Sequence, residues 1–144
     1  MIYWLTGQPG SGKTTLANNL LDHFGKEKTM IIDGDDLRQI FDNKDYSEIG
    51  RRKNIERAQD IALFMDKKGY DVIVSLVSPY KDQRDELKKR ADVVEFYLHT
   101  TEDRGRNQYH VSNYEPPTEN FFDIDTTNRT DTSTYYEVLK IITL

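Results

Sequence analysis

The sequence predicts a doubly wound α/β fold: a five-stranded parallel sheet with helices on both faces, in a single domain over residues 1–144. Two observations carry this. Short apolar runs alternate with longer segments of helical periodicity, the order that parallel strands joined by crossover helices require. Those runs mostly lack strict apolar–polar alternation, as expected of strands covered on both faces. A chain of 144 residues has room for one compact core and not for two ordinary ones.

The first run, MIYWLT at 1–6, leads straight into GQPGSGKTT at 7–15 and then into the helical pattern TTLANNLLDHF. Gly7, Gly12, Lys13 and Thr14 satisfy G-x-x-x-x-G-K-[ST] in a strand–turn–helix setting. Glycines in such a turn let successive backbone N–H groups reach phosphate oxygens, and the helix N-terminus adds its dipole. Lys13 is placed to neutralise the outer phosphates, and the Thr14 hydroxyl to take a magnesium position. Gly7, Gln8, Pro9, Gly10, Ser11, Gly12, Lys13, Thr14 and Thr15 are therefore the expected ATP cradle.

The second run, TMIID at 29–33, opens into GDDLR. Asp33 ends the strand, Gly34 permits a sharp turn, and Asp35 or Asp36 is expected to cap a short helix, DLRQIF. Carboxylates at this edge of the sheet could order magnesium-bound water or accept a hydroxyl proton. Lys13, Asp33 and Asp35 are thus the candidate catalytic residues, and Thr14 and Asp35 the candidate metal ligands.

Two other uses of a phosphate cradle are set aside. NKDY at 43–46 is one residue out of register for a guanine-reading N-K-x-D and follows the second strand rather than a later one. The third run, DVIVSLV at 71–77, ends in Ser78 and Pro79 instead of the acidic residue expected of a motor ATPase. A kinase of the P-loop type remains.

The next helix begins at Ser47 as N-cap and places Ile55, Ala58, Ala62, Met65 and Gly69 on one stripe. Extending the stripe back one turn reaches Arg51, with Asn54 adjacent. After VSPY a second helix is expected, with Ser78 as cap, Pro79 in its first turn, and Tyr80, Arg84, Leu87 and Ala91 inward. Two arginines in phase with core positions, and Arg38 three residues past Asp35, point to an anionic acceptor, because a guanidinium fork suits phosphate or sulfate oxygens. Tyr46 offers a flat face for a base.

VVEFYLH at 93–99 and NFFDID at 120–125 complete the five strands. Between them, residues 100–119 are irregular and longer than an ordinary connection, so they read as a lid or as a surface loop without a role. TSTYYEVLKIITL, 132–144, reads as a final amphipathic helix.

Net charge is −5 with Lys and Arg spread along the chain, which leaves no broad basic face and disfavours a nucleic-acid partner. The chain has no cysteine, and its start lacks the basic flank and apolar run of a signal peptide, so a cytoplasmic protein without membrane segments is expected. The NRT triplet at Asn128 reads as a surface turn.

With these residues in place, the chain resembles the adenylylsulfate kinases. The likeness runs through GQPGSGKTT, DGDDLR, YSEIGRRKNIERAQDIA and VSLVSPYKDQRDELKKRADVVEFYLHT, in order and at fitting spacing. It implies transfer of the γ-phosphoryl of ATP, with magnesium, to the 3′-hydroxyl of adenosine 5′-phosphosulfate (APS). It further implies that Asp33 and Asp35 serve metal and hydroxyl, and that Arg38, Arg51 and Asn54 hold the phosphosulfate end. Tyr46 stands where the family usually has a Phe stacked on the acceptor adenine. Ser78 matches a serine sometimes described as a phosphorylated intermediate, although direct in-line transfer needs no covalent step and helix capping accounts for it. The resemblance also suggests a homodimer. The departure is in 100–119, where the family's Lys-rich K-G-L-Y-K-K-A-R run is missing and Arg104, Arg106, Tyr109, His110 and Tyr114 stand instead. That leaves open a related kinase acting on a nucleoside, nucleotide or nucleic-acid end. A nucleotide-binding module without transfer fits less well, because Lys13, Thr14, Asp33 and Asp35 are all present.

Overall fold

The computed structural model describes residues 1–143. Its strands are β1 (Ile2–Thr6), β2 (Thr29–Asp33), β3 (Asp71–Ser75), β4 (Val93–His99) and β5 (Phe122–Asp125). The helices are α1 (Lys13–Phe24), α2 (Gly34–Ile40), α3 (Glu48–Lys67), α4 (Lys81–Arg90) and α5 (Asp131–Ile142). All strand pairs are parallel, in the order β2-β3-β1-β4-β5. The five strands and the double winding follow the sequence expectation.

Burial explains why the apolar runs do not alternate. Every residue of β1 is buried, yet Ile2 and Trp4 join one apolar layer while Tyr3 and Leu5 join the other. The first layer packs β1, β2 and β3 against Leu37 of α2, Ile55, Ala58 and Ala62 of α3, and Leu87 of α4. On the opposite face, Leu16, Ala17 and Leu20 of α1 and Val138 of α5 meet Ile73, Phe96, Leu98 and Ile124. The edge strands are less covered: Met30 on β2 and Phe122 on β5 remain exposed.

Several boundaries differ from expectation. β3 stops at Ser75, so Leu76 and Val77 leave the ladder toward the site. Ser47 caps α3 through Gly50 N–H as expected, but the helix ends at Lys67 and Gly69 lies exposed beyond it. The cap of α2 is Asp33, whose carboxylate accepts from Asp35 N–H at 2.8 Å, not Asp35 or Asp36. Ser78 does not cap α4 and Pro79 is outside it, since the helix starts at Lys81. Its leading N–H is met instead by the Glu115 carboxylate, 2.8 Å from Lys81 N. The final helix forms at Asp131–Ile142, and Leu144 lies outside the described residues.

Candidate active site

In this strand order the chain leaves β1 toward β2 and β3 on one side, then returns to β4 and β5 on the other. Ligands of open α/β sheets bind at the carboxyl ends of strands where the order reverses. A cavity of about 890 Å³ lies at that place.

The turn after β1 forms its floor. Gly7 has no room for a side chain, because a Cβ there would sit 2.3 Å from the Leu98 carbonyl oxygen of β4. Lys13 is buried and folds back over the turn, donating to Gly7 O at 2.8 Å and Gln8 O at 3.0 Å. Burial first, and then the Arg106 guanidinium, push its pKa down to about 8 against the pull of Asp33 and Asp35. Pro9, Gly10, Gly12, Lys13, Thr14 and Thr15 line the cavity. Gly7, Gln8 and Ser11 shape the turn from outside that lining. The Gln8 side chain fastens the 100–119 segment to the turn, since its amide donates to Val111 O and accepts from Val111 N, both at 2.8 Å.

Asp33 and Asp35 line the opposite wall. One Asp33 oxygen is engaged as the α2 cap, whereas the Asp35 carboxylate accepts no hydrogen bond among the described residues. The Thr14 hydroxyl is likewise unpartnered there and faces the cavity. Hydroxyl and carboxylate are the hard oxygen donors that suit magnesium, which takes one or two protein ligands and completes its shell with phosphates and water. The residues present therefore fit that ion.

The acceptor corner is built by α2, α3 and the loop between them. Arg38, Tyr46, Arg51 and Asn54 all reach the cavity. Arg38 is partly spent on the loop, donating to Asn43 O and Asp45 O at 3.1 Å and lying 4.0 Å from the Tyr46 ring centroid. The Arg51 guanidinium makes no hydrogen bond or ion pair among the described residues. Asn54 is buried, donates to Gly34 O at 3.3 Å, and keeps its side-chain oxygen unpartnered. An orphaned buried acceptor beside a free guanidinium is what a polar ligand would complete.

Ser78 also lines the cavity, with its backbone in the left-handed region at φ 47. Its hydroxyl accepts from Trp4 Nε1 at 3.1 Å. Arg84 is a different case and is not part of the lining. Its guanidinium is buried, donates to the carbonyls of Ser78 and Glu115, and lies 3.7 Å from the buried Glu95 carboxylate. The helical phase correctly turned Arg84 inward, and its guanidinium braces the Ser78 and Glu115 backbone beside the cavity.

Residues 100–119 cover the cradle and include a 3-10 turn at Asn107–Tyr109. Arg104 reaches across to Gly10 O at 3.0 Å and Thr126 O at 2.7 Å, and is paired with Glu102. The Tyr114 hydroxyl pairs with Thr6 Oγ1 at 2.7 Å. Arg129, held by Glu137 and Ser133, lines the same end of the cavity. Sequence reasoning passed over Arg129, since NRT carries only a turn signal.

A phosphate turn on the reversal point of a parallel sheet, with a lysine in the turn and acids opposite, defines a P-loop fold. Residues 1–116 match the adenylylsulphate kinase family, and the chain belongs to that family. It is 43% identical over 94 residues to the adenylyl-sulfate kinase of Burkholderia ambifaria, covering 62% of this chain and 51% of that protein. The adenylyl-sulfate kinase of Geotalea uraniireducens is 36% identical over 105 residues, covering 68% of this chain and 50% of the relative. The chain thus spans about half the length of the curated relatives it matches. Among solved structures, the Mycobacterium tuberculosis APS kinase in complex with AMPPNP and APS superposes with TM-score 0.84 at 21% identity, over 99% of this chain and 97% of that one. At that identity the likeness supports the fold. No helix among the described residues is long and apolar enough to cross a membrane.

Proposed function

We propose that this domain transfers the γ-phosphoryl group of ATP to the 3′-hydroxyl of APS, giving 3′-phosphoadenosine 5′-phosphosulfate and ADP. The observation that carries this is one continuous cavity joining Lys13 of the phosphate turn, the unengaged Asp35, and the Arg51–Asn54 corner. Lys13 neutralises the outer phosphates of the donor. Arg51, with Arg38 and Asn54, holds the phosphosulfate end of the acceptor, and Tyr46 meets its base. The acceptor oxygen bonds to the γ-phosphorus as the bond to the β–γ bridging oxygen breaks, and the hydroxyl proton passes to Asp35. Thr14 and, through a bound water, Asp35 would hold magnesium, which neutralises charge on the phosphates. Ser78 forms part of the wall, its hydroxyl already engaged by Trp4, and no covalent step through it is needed.

ADP release from Mg·ATP with APS as the only acceptor tests the reading. Release should require APS, vanish in Lys13→Ala, and fall about 10²- to 10⁴-fold in Asp35→Asn with nucleotide binding retained. Release independent of APS would redirect the search to other acceptors, and an active Asp35→Asn protein would remove the catalytic assignment. We also infer a homodimer, which the exposed Ile40 and Ile49 at the α2–α3 corner support. Light scattering at twice the chain mass is the expected result. ATP as donor is consistent with work in the cytoplasm.

A further inference from the structure

The lid brings several polar groups over the phosphate turn, and three of them are occupied. Arg104 is bound to Gly10, Thr126 and Glu102. His110 lies 3.2 Å from Pro9 O, and Tyr114 is paired with Thr6. Arg106 differs. It lines the cavity, and its guanidinium makes no hydrogen bond or ion pair among the described residues, resting only over the Tyr109 ring at 5.3 Å.

Its position is fixed from both sides. Arg106 lies directly on the turn, since a Cβ added at Gly10 would come within 3.2 Å of the Arg106 Cβ. Upstream, Asp103 accepts from Gly105 N–H at 2.9 Å, and Gly105 takes the positive φ of 80 that swings the chain round. Downstream, the two hydrogen bonds between Gln8 and Val111 tie the loop down. Two cations, Lys13 and Arg106, thus line one void. Arg106 is, after burial, the largest influence lowering Lys13 basicity. Holding like charges together is unfavourable unless an anion joins them. Lys13 lies in the floor of the cavity and Arg106 in the segment above it, so an anion bound between them would meet both.

We infer that Arg106 grips the γ-phosphoryl group of the bound triphosphate from the lid side and stays with it during transfer. This rests on the proposed reading that the cavity takes ATP, and it makes Arg106 the cation that serves in place of a Lys-rich lid run. A guanidinium already positioned can stabilise charge on the transferring group without reorganisation.

The test separates this role from acceptor identity. Calorimetric titration with magnesium and either AMPPNP or ADP should show Arg106→Ala losing roughly tenfold or more in AMPPNP affinity while ADP affinity holds. Arg106→Lys should recover part of the loss, and Arg106→Gln should behave like the alanine variant while melting at the wild-type temperature. Equal losses on both nucleotides, or none, would overturn the assignment. With APS supplied, Arg106→Ala should lower kcat more than it raises the KM for APS. A wild-type protein that binds AMPPNP and ignores APS would sink the proposed acceptor and leave the titration to judge Arg106.

Discussion

Lys13 is both the most constrained cation of the site and one that titrates near working pH. Its pKa is about 8 in the free protein because the amine is buried and Arg106 stands close. A phosphate placed against it favours the ammonium and raises that value, so binding at higher pH takes up a proton. The sign follows: nucleotide affinity is highest below about pH 8 and falls above it, by up to about tenfold per pH unit. Calorimetry in buffers of different ionisation enthalpy should record the uptake above about pH 8, and Lys13→Arg, which keeps its charge, should abolish it. The placement of Lys13, Thr14, Asp33 and Asp35 on the cavity was legible in the sequence because each lies at a strand end or at the start of the helix that follows it, where local geometry dictates position. Arg84 was legible only in phase. That its charge is spent on the carbonyls of Ser78 and Glu115 depends on contacts 6 and 31 residues away, which periodicity does not encode.

At the level of elements, the start of α4 shows how a helix can borrow its cap. Ser-Pro before an apolar pattern is the usual start signal, and here it misleads because Ser78 is held in a left-handed conformation with its hydroxyl on Trp4. The Glu115 carboxylate caps from across the site, and its backbone N–H also donates to Pro79 O at 2.8 Å. Glu115→Ala should cost about 1 kcal/mol, as loss of a cap does, and lower the melting temperature by roughly 2–4 °C for a chain of this size. Glu115→Gln should recover much of that, and a thermal melt of the three proteins checks it. The strands and long helices were readable since burial on two faces and helical period are written in composition. The fold of residues 100–119 was not, because its order comes from single polar bonds to the phosphate turn, such as Gln8 to Val111, rather than from an apolar stripe.

For the whole molecule, β1 and β3 carry two apolar layers, one on each face of the sheet. Leu20 belongs to the α1–α5 layer and Leu87 to the α3–α4 layer, and both are almost fully buried. Each Leu→Ala change should destabilise by about 2–5 kcal/mol. As the two sites share no cluster, the double variant should lose the sum to within about 0.5 kcal/mol. Denaturant curves should show one transition in all three variants, the behaviour of a single domain, and a separate early transition in either single variant would divide the chain.

The cap from Glu115 has a bearing on the chain's synthesis. Once residue 99 has left the ribosome, β1 to β4 can assemble and both apolar layers begin to close. At that moment α4 still has an open first turn, Arg84 has one of its two carbonyl partners, and Thr6 lacks Tyr114. These three gaps are filled together by residues 114 and 115, so a growing chain reaches a nearly complete sheet before the rim of its own active site can set.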